Sequence, residues 1–266
     1  MKIATWNVNS LKVRLPHVLD WLCTARPDVL ALQETKLTDD KFPVDAISEA
    51  GYHSVYAGQK TYNGVALLTR QPPSEVSYGI PELEEGGKRI LAANVGRVRI
   101  VNLYVVNGQA VGSEKYEYKL HWLDRVIASV EDALSAGDEL VVLGDFNIAP
   151  EDADVYDPEG WRESILCSTE ERRRLRDLLA LGLVDTLRLF PQEPGTYSWW
   201  DYRHGAFRRN RGLRIDLVLA SEALGRRCTA CSVDVEPRRR ERPSDHAPVV
   251  AEFSLAESSG PPGVES

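Results

Sequence analysis

The sequence predicts an α/β or α+β protein built on at least one large sheet. Two observations support that class. Apolar runs of strand length alternate with amphipathic helical stretches, and a chain of 266 residues with 43% apolar content is long enough for one large core. Glycine and proline are present in ordinary amounts and mark no seam between two domains, so a single domain over residues 1–255 is expected.

The elements follow in order. "KIATWNV" (2–8) has the composition of a strand, "RLPHVLDWLCTA" (14–25) places Val18, Leu19 and Leu22 at helical spacing, and "DVLALQE" (28–34) is a short buried strand. Further strands are expected at 64–69, 98–106, 139–146, 215–221 and 248–255, with helices at 115–135 and 170–181. The last residues, "AESSGPPGVES" (256–266), have the composition of a disordered tail. No repeat of fixed period is present, although "WNVN" and "GDFN" echo one another at the ends of two strands.

Composition excludes several classes. The N-terminus "MKIATWNVNS" lacks the apolar core of a signal peptide, and no stretch approaches the roughly 18 apolar residues of a membrane span, so a cytoplasmic protein without membrane contact is expected. Four cysteines are too few for a disulfide framework. "CTAC" (228–231) has the spacing of a metal or redox pair, but without a second pair or a flanking histidine it reads as chance. The net charge of −8 argues against a nucleic-acid partner when taken alone. Its distribution argues otherwise, because "RHGAFRRNRGLR" (203–214) holds five arginines and no acid, follows the aromatic run "YSWWDY", and is joined by "RRRER" at 238–242. Local fields attract polyanions even on an acidic molecule, and interleaved aromatic residues suit nucleic acid. "RRRLR" (172–176), on an expected helix, reads instead as a solvated face.

Polar residues recur where apolar runs stop. Asn7 and Asn9 end one strand and Gln33 and Glu34 the next; Tyr104 to Asn107, Asp145 with Asn147, and Asp216 occupy corresponding places, and Asp245 with His246 precede the last strand. One such residue is an ordinary turn former; four carboxylates flanking apolar runs suggest convergence. At an effective dielectric of about 20, two unit charges 4 Å apart repel by about 4 kcal/mol, so converging carboxylates require a cation among them. Carboxylate and amide oxygens without cysteine suit Mg²⁺, with Mn²⁺ as a substitute, and a hard ion of this kind implies phosphoryl transfer, most simply phosphodiester hydrolysis.

The motifs "TWNVNSL", "PDVLALQETK", "GYHSVYAGQKTYNGVALLTR", "LGDFNIAP", "LGLVDTLR", "TYSWWDYR", "NRGLRIDLVLAS" and "RPSDHAPV" occur in one order from Met1 to about Leu255. In these the sequence resembles the exodeoxyribonuclease III and abasic-site endonuclease family of the endonuclease/exonuclease/phosphatase superfamily. The resemblance implies a four-layered α/β sandwich, two mixed sheets face to face with helices outside. It implies a monomeric Mg²⁺-dependent DNA-repair phosphodiesterase that cleaves 5′ to abasic sites and removes nucleotides and blocking groups from 3′ ends of double-stranded DNA.

By the same resemblance Glu34 is the principal metal ligand, with Asn9 and Asp245 as further or water-mediated ligands. Asn7 and Asn147 orient the catalytic groups, Asp145 is the base or the group that positions the attacking water, and Asp216 fixes His246 against the scissile phosphate. Tyr104 lies close to that phosphate with Asn107 beside it. Trp199 and Leu213 wall a pocket for a flipped-out baseless sugar, and Arg208, Arg209 and Arg211 contact DNA. Leu213, where other branches place tryptophan, implies strong 3′-exonuclease activity. A carboxylate beside an imidazole favours the imidazolium, which binds phosphate but is no base, and this tilts the base assignment to Asp145 without settling it. Two alternatives stay open: a superfamily phosphatase or phosphodiesterase acting on a non-DNA substrate, and a catalytically silent nucleic-acid-binding relative.

Overall fold

The computed structural model describes residues 1–81, 83, 88–137 and 139–255; the expected C-terminal tail lies outside them. Twelve strands form two six-stranded sheets. The first has the order β11 (Cys228–Val233), β12 (Val249–Phe253), β1 (Lys2–Asn7), β2 (Val29–Gln33), β4 (Val65–Thr69), β3 (His53–Ala57). The second runs β5 (Ser74–Tyr78), β6 (Ile90–Val95), β7 (Val98–Tyr104), β8 (Glu139–Asp145), β10 (Asp216–Ser221), β9 (Leu183–Asp185). Both sheets are mixed, since β1–β2 and β7–β8 pair in parallel and the remaining neighbours are antiparallel. From β11 to β3 and from β9 to β5 the sheets repeat one pattern of orientations. The strands ending in "WNVN" and "GDFN", β1 and β8, therefore hold the same place in their sheets.

The central strands β1, β2, β4, β8 and β10 are buried on both faces, which explains their continuous apolar composition. On β1, Ile3 joins the core between the sheets and Ala4 the core under the helices. Opposite it, Val141 and Leu143 of β8 face the first sheet, while Leu140 and Val142 face outward. The helices α1 (Leu11–Ala25) and α2 (Val44–Glu49) cover the outer face of the first sheet through Val18, Trp21, Leu22 and Ile47. On the second sheet α3 (Glu114–Ser135) and α4 (Thr169–Ala180) do the same through Trp122, Val126, Leu175 and Leu178. The result is the four-layered sandwich that the resemblance implies. A short fifth helix, α5 (Glu222–Gly225), follows β10.

The expected elements form, with shifted ends. The first helix begins at Leu11 rather than Arg14, because the otherwise unbonded Ser10 and Leu11 N–H groups find the Glu34 and Thr35 carbonyls at 2.8 and 3.0 Å. Sequence periodicity does not reveal β3, β5, β6, β9 or β11. The "CTAC" cysteines lie on β11, both as free thiols. The expected solvated face of "RRRLR" forms in part: Arg173 and Arg176 are exposed, whereas Leu175 is core and Arg174 is largely covered, paired to Glu170 and to Asp124 of α3.

Candidate active site

Side chains alternate along a strand, so β1 sends Ile3, Thr5 and Asn7 toward the second sheet and β2 sends Val29, Ala31 and Gln33 the same way. Residues 100, 102 and 104 on β7, 141, 143 and 145 on β8, and 216, 218 and 220 on β10 face them. At one end of the sandwich this shared face changes from apolar to polar. A one-residue slip in any strand would bury its polar residue under a helix, so the apolar pattern fixes the register and the register assembles the site.

A layer of uncharged amides forms its floor. Gln33 Nε2 donates to Thr5 Oγ1 at 2.9 Å and to Asn102 Oδ1 at 2.7 Å, and Asn102 Nδ2 reaches the Leu32 and Ala66 carbonyls at 3.0 and 2.9 Å. Above it, Asn7 Nδ2 bridges two carboxylates, 2.9 Å from Glu34 Oε1 and 2.9 Å from Asp145 Oδ2. Asp145, 1% exposed, also accepts from the Asn147 backbone N–H at 2.9 Å and from Asn147 Nδ2 at 3.3 Å. Gly144 makes this geometry possible: a Cβ there would sit 1.9 Å from the Leu103 carbonyl oxygen, so only glycine lets β8 approach β7 this closely.

Asp216 stands directly opposite Asp145 in the β10–β8 register. Its Oδ2 lies 2.9 Å from His246 Nδ1, which leaves His246 Nε2 3.9 Å from Asp145 Oδ2. The Asp216 backbone N–H donates to Ser198 Oγ at 3.0 Å. The turn before β12 is held at several points: Ser244 Oγ donates to the Asn7 carbonyl at 2.7 Å, the His246 N–H to Ser244 Oγ at 3.2 Å, and Trp6 Nε1 to the His246 carbonyl at 3.2 Å. The stiff "SDHAP" turn is thus tied to β1 at Trp6 and Asn7 and to β10 at Asp216.

Electrostatics separates the groups. Burial alone would push the His246 imidazole down, but the Asp216 and Asp145 carboxylates outweigh it and raise the pKa to about 10, so the ring is an imidazolium near neutrality. Burial pushes the Asp145 carboxyl up to about 7, opposed by the His246 charge and the Asn7 hydrogen bond. Burial also acts upward on Glu34, yet the Lys36 charge and the Asn7 hydrogen bond win and hold its pKa below the ordinary value. Tyr104, bonded to Glu34 and covered by burial, is raised well above the usual phenol range, so its hydroxyl keeps its proton.

Lys36 shows where a cation fits. Its ammonium stands 2.8 Å from Glu34 Oε2 and 2.5 Å from Asn9 Oδ1, on two of the oxygens expected to ligate a metal. Asn9 Nδ2 in turn donates to Asp245 Oδ1 at 3.0 Å, and Trp199 Nε1 to Asp245 Oδ2 at 3.0 Å, so Asp245 stands behind Asn9. Glu34, Asp145 and His246 also bring potential ligand atoms within 4.8 Å of one another. The imidazolium has no lone pair at Nε2 for a metal, so the Glu34 and Asn9 side is the better cation site. Left-handed backbone marks the rim: Asn9 (φ +43°), Glu34 (φ +53°), Lys36 (φ +54°) and Asn147 (φ +49°) are all non-glycine residues, and strain of this kind is held where surrounding structure over-determines it.

The substrate-binding expectations fare unevenly. Asn107 is exposed and donates to Asn147 Oδ1 at 3.2 Å. Trp199 lines a cavity of about 390 Å³ with Tyr156, Trp161, His204 and Arg211. Leu213, in contrast, is 0% exposed and packs inside a cluster with Val155 and Leu166, so it backs this wall rather than lining it. Arg208, Arg209 and Arg211 are exposed. The fifth arginine of that run, Arg214, is internal: it binds Asp154 at 2.6 Å and Asp185 at 2.8 Å. Sequence reasoning missed Ser198, Ser244, Lys36 and Asn102. Only Lys36, beside Glu34 in "ETK", carried a positional signal.

Residues 4–246 match the family described as "Endonuclease/Exonuclease/phosphatase family". The chain belongs to that family. Within it, the chain is 36% identical to exodeoxyribonuclease III of Haemophilus influenzae, over 95% of this chain and 100% of the relative. Two solved family structures superpose with a TM-score of 0.93, each matching 96% of this chain and 100% of its own. One, 50% identical, is a 3′ phosphatase from Neisseria bound to a product DNA hairpin, and the other, 40% identical, is an AP endonuclease from Archaeoglobus fulgidus. Six of the eight motifs that carry the family resemblance supply residues to the polar end of the sandwich.

Proposed function

We propose that the chain is a Mg²⁺-dependent DNA-repair nuclease that cleaves 5′ to abasic sites and trims nucleotides and blocking groups from 3′ ends of duplex DNA. The observation that carries this reading is one juxtaposition: buried Asp145 is fixed by asparagine donors, and an imidazole locked by Asp216 stands 3.9 Å away. The names of its relatives, an exodeoxyribonuclease, a 3′ phosphatase bound to a product DNA hairpin and an AP endonuclease, support DNA as the substrate, as do the exposed arginines 208, 209 and 211. Presence of Asp145, Asn147, Asp216 and His246 together counts against a silent relative.

Glu34 and Asn9 Oδ1 would hold the divalent ion with Asp245 behind them, and the ion when bound neutralises charge on the phosphate oxygens. His246 Nε2–H points into the site and donates to a phosphate oxygen as charge develops there. Of roughly four lone-pair sites on the Asp145 carboxylate, three accept from Asn7 and Asn147. The remaining one, on Oδ1, takes the proton of the attacking water as the water oxygen bonds to phosphorus and the leaving oxygen departs with its electron pair. Asn107 and Tyr104 flank the same space and orient the strand.

The test incubates the purified protein with duplex DNA carrying one abasic site, and with duplex ending in a 3′-phosphate, each with Mg²⁺ or EDTA. Incision and phosphate release that vanish with EDTA support the reading. Tight binding without cleavage of either substrate overturns it.

A further inference from the structure

Behind the active site lies a buried ion pair that the proposed chemistry does not use. Lys119 on α3 and Glu171 in the first turn of α4 bond to each other with side chains 0% exposed. The other two ammonium protons go to the Asn147 carbonyl at 2.7 Å and the Asn107 carbonyl at 3.2 Å. Glu171 is equally saturated: Oε1 also accepts from the Leu166 N–H at 3.1 Å, and Oε2 accepts from the Ser168 N–H at 3.0 Å and Ser168 Oγ at 2.6 Å. Tyr116 OH closes the set, 2.7 Å from Ser168 Oγ.

Such a pair is an expensive way to join two helices. Desolvating both charges costs several kcal/mol per ion, and well-packed apolar residues commonly hold a helix interface as well or better. What an apolar pair cannot do is donate to backbone carbonyls. Here the donated bonds fall on the two loops that carry Asn107 and Asn147, and Glu171 holds a third loop through Leu166, whose φ is +73°. The Leu166 carbonyl then accepts from the Ala149 N–H at 2.8 Å, two residues beyond Asn147.

We infer that Lys119, braced by Glu171, is a positioning residue for the nuclease site: it pins the Asn147 and Asn107 backbones and so fixes the aim of Asn147 at Asp145. The inference rests on the proposed nuclease reading. A misplacement near 1 Å of a group that orients the reacting atoms costs rate far more than binding, so the effect belongs in kcat.

The test uses Lys119→Met/Glu171→Met, which removes both charges and preserves the helix contact, and Glu171→Gln as a second variant. Val126→Ala, in the apolar face of the same helix, serves as a control for general destabilisation. All are assayed well below their melting temperatures on duplex DNA with a 3′-phosphate. Expected is a kcat loss on the order of 10- to 100-fold in the double variant and a smaller loss in Glu171→Gln, with DNA affinity and the Mg²⁺ concentration for half-maximal rate unchanged. Either variant, folded and within twofold of the control in kcat, overturns the inference. Wild-type protein inactive on this substrate and on duplex DNA with an abasic site would instead overturn the nuclease reading itself.

Discussion

His246 Nδ1 lies 2.9 Å from Asp216 Oδ2, and both side chains are buried. That contact decides which nitrogen faces the reaction and what charge it carries. Removing the charge at fixed shape, in Asp216→Asn, drops the His246 pKa from about 10 toward its ordinary 6.5. The rate then falls by roughly 10²- to 10⁴-fold at neutral pH, as when a buried carboxylate behind a catalytic imidazole is lost. Lowering the pH restores the imidazolium but also protonates Asp145, whose pKa stands at about 7, so little rate returns. An NMR titration of the His246 ring, run beside the pH–rate profile, checks both statements; an unshifted ring pKa would contradict them.

Stability of the metal-free protein should depend on pH in a defined direction. Folding raises Asp145 from 3.8 to about 7 and His246 from 6.5 to about 10, so both groups bind protons more tightly in the folded state. The Asp145 contribution is complete below about 3.8 and is lost as pH rises through 7; that of His246 is complete below 6.5 and is lost as pH rises through 10. In EDTA these groups lower the melting temperature steadily from pH 5 to pH 9. Added Mg²⁺, which favours ionised carboxylates, should raise it more at pH 8 than at pH 5. Differential scanning fluorimetry reads both, and an equal metal effect at the two pH values would count against the assignment.

The amide floor predicts a stability effect with little chemical effect. Asn102→Leu leaves the Leu32 and Ala66 carbonyls without the Asn102 donor and Gln33 Nε2 with one acceptor, Thr5 Oγ1, in place of two. Buried groups left unsatisfied cost about 1–3 kcal/mol each, so urea denaturation should show a loss of at least about 2 kcal/mol, while the folded fraction keeps most of its kcat. A loss within about 0.5 kcal/mol, the size of an ordinary surface substitution, would mean that the floor is repaired by other partners.

The exposed arginines make a prediction about salt. Each phosphate contact removed should lower the slope of log affinity against log salt by about 0.9 for duplex DNA. Arg208→Gln and Arg211→Gln are each expected to do this with kcat almost unchanged, measured by fluorescence anisotropy across a salt series. Arg214→Gln should instead act on folding, because its guanidinium is held inside by Asp154 and Asp185. Arginines in one short run thus divide into surface and core.

The sequence reveals the strands that build the site and not those that border it. β1, β2, β8 and β10 are buried on both faces and β7 and β12 alternate buried with half-buried residues, so composition or alternation marks them, and polar residues at their ends stand out. Four of the five strands that periodicity misses, β3, β5, β9 and β11, are the sheet edges. Edge strands are kept short and polar, as in "SEVSY" of β5, which gives them the composition of loops. The fifth, β6, joins β7 through Gly96, and that two-residue turn was the available signal. Within the site, carboxylates and His246 are legible because their types are chemically rare at strand ends. Ser198, Ser244 and Lys119 are not, since a serine in a loop or a lysine in a helix has an ordinary explanation until the fold shows what it touches. Leu213 illustrates the opposite limit, because a motif gives a residue's place in the chain but not the depth at which neighbouring loops bury it.

The central claim is that His246 acts as a fixed cation on the phosphate while Asp145 takes the proton. It is tested most directly by the single-turnover cleavage rate of His246→Asn against wild type from pH 5.5 to 9.5, with saturating Mg²⁺ and DNA. If His246 is the cation, the variant loses a large factor at every pH, and the ascending limb set by Asp145 survives, moved to higher pH because the His246 charge no longer lowers that carboxyl. If the variant instead loses only the acidic limb and keeps near-normal rates at alkaline pH, His246 is the proton acceptor and the account is wrong.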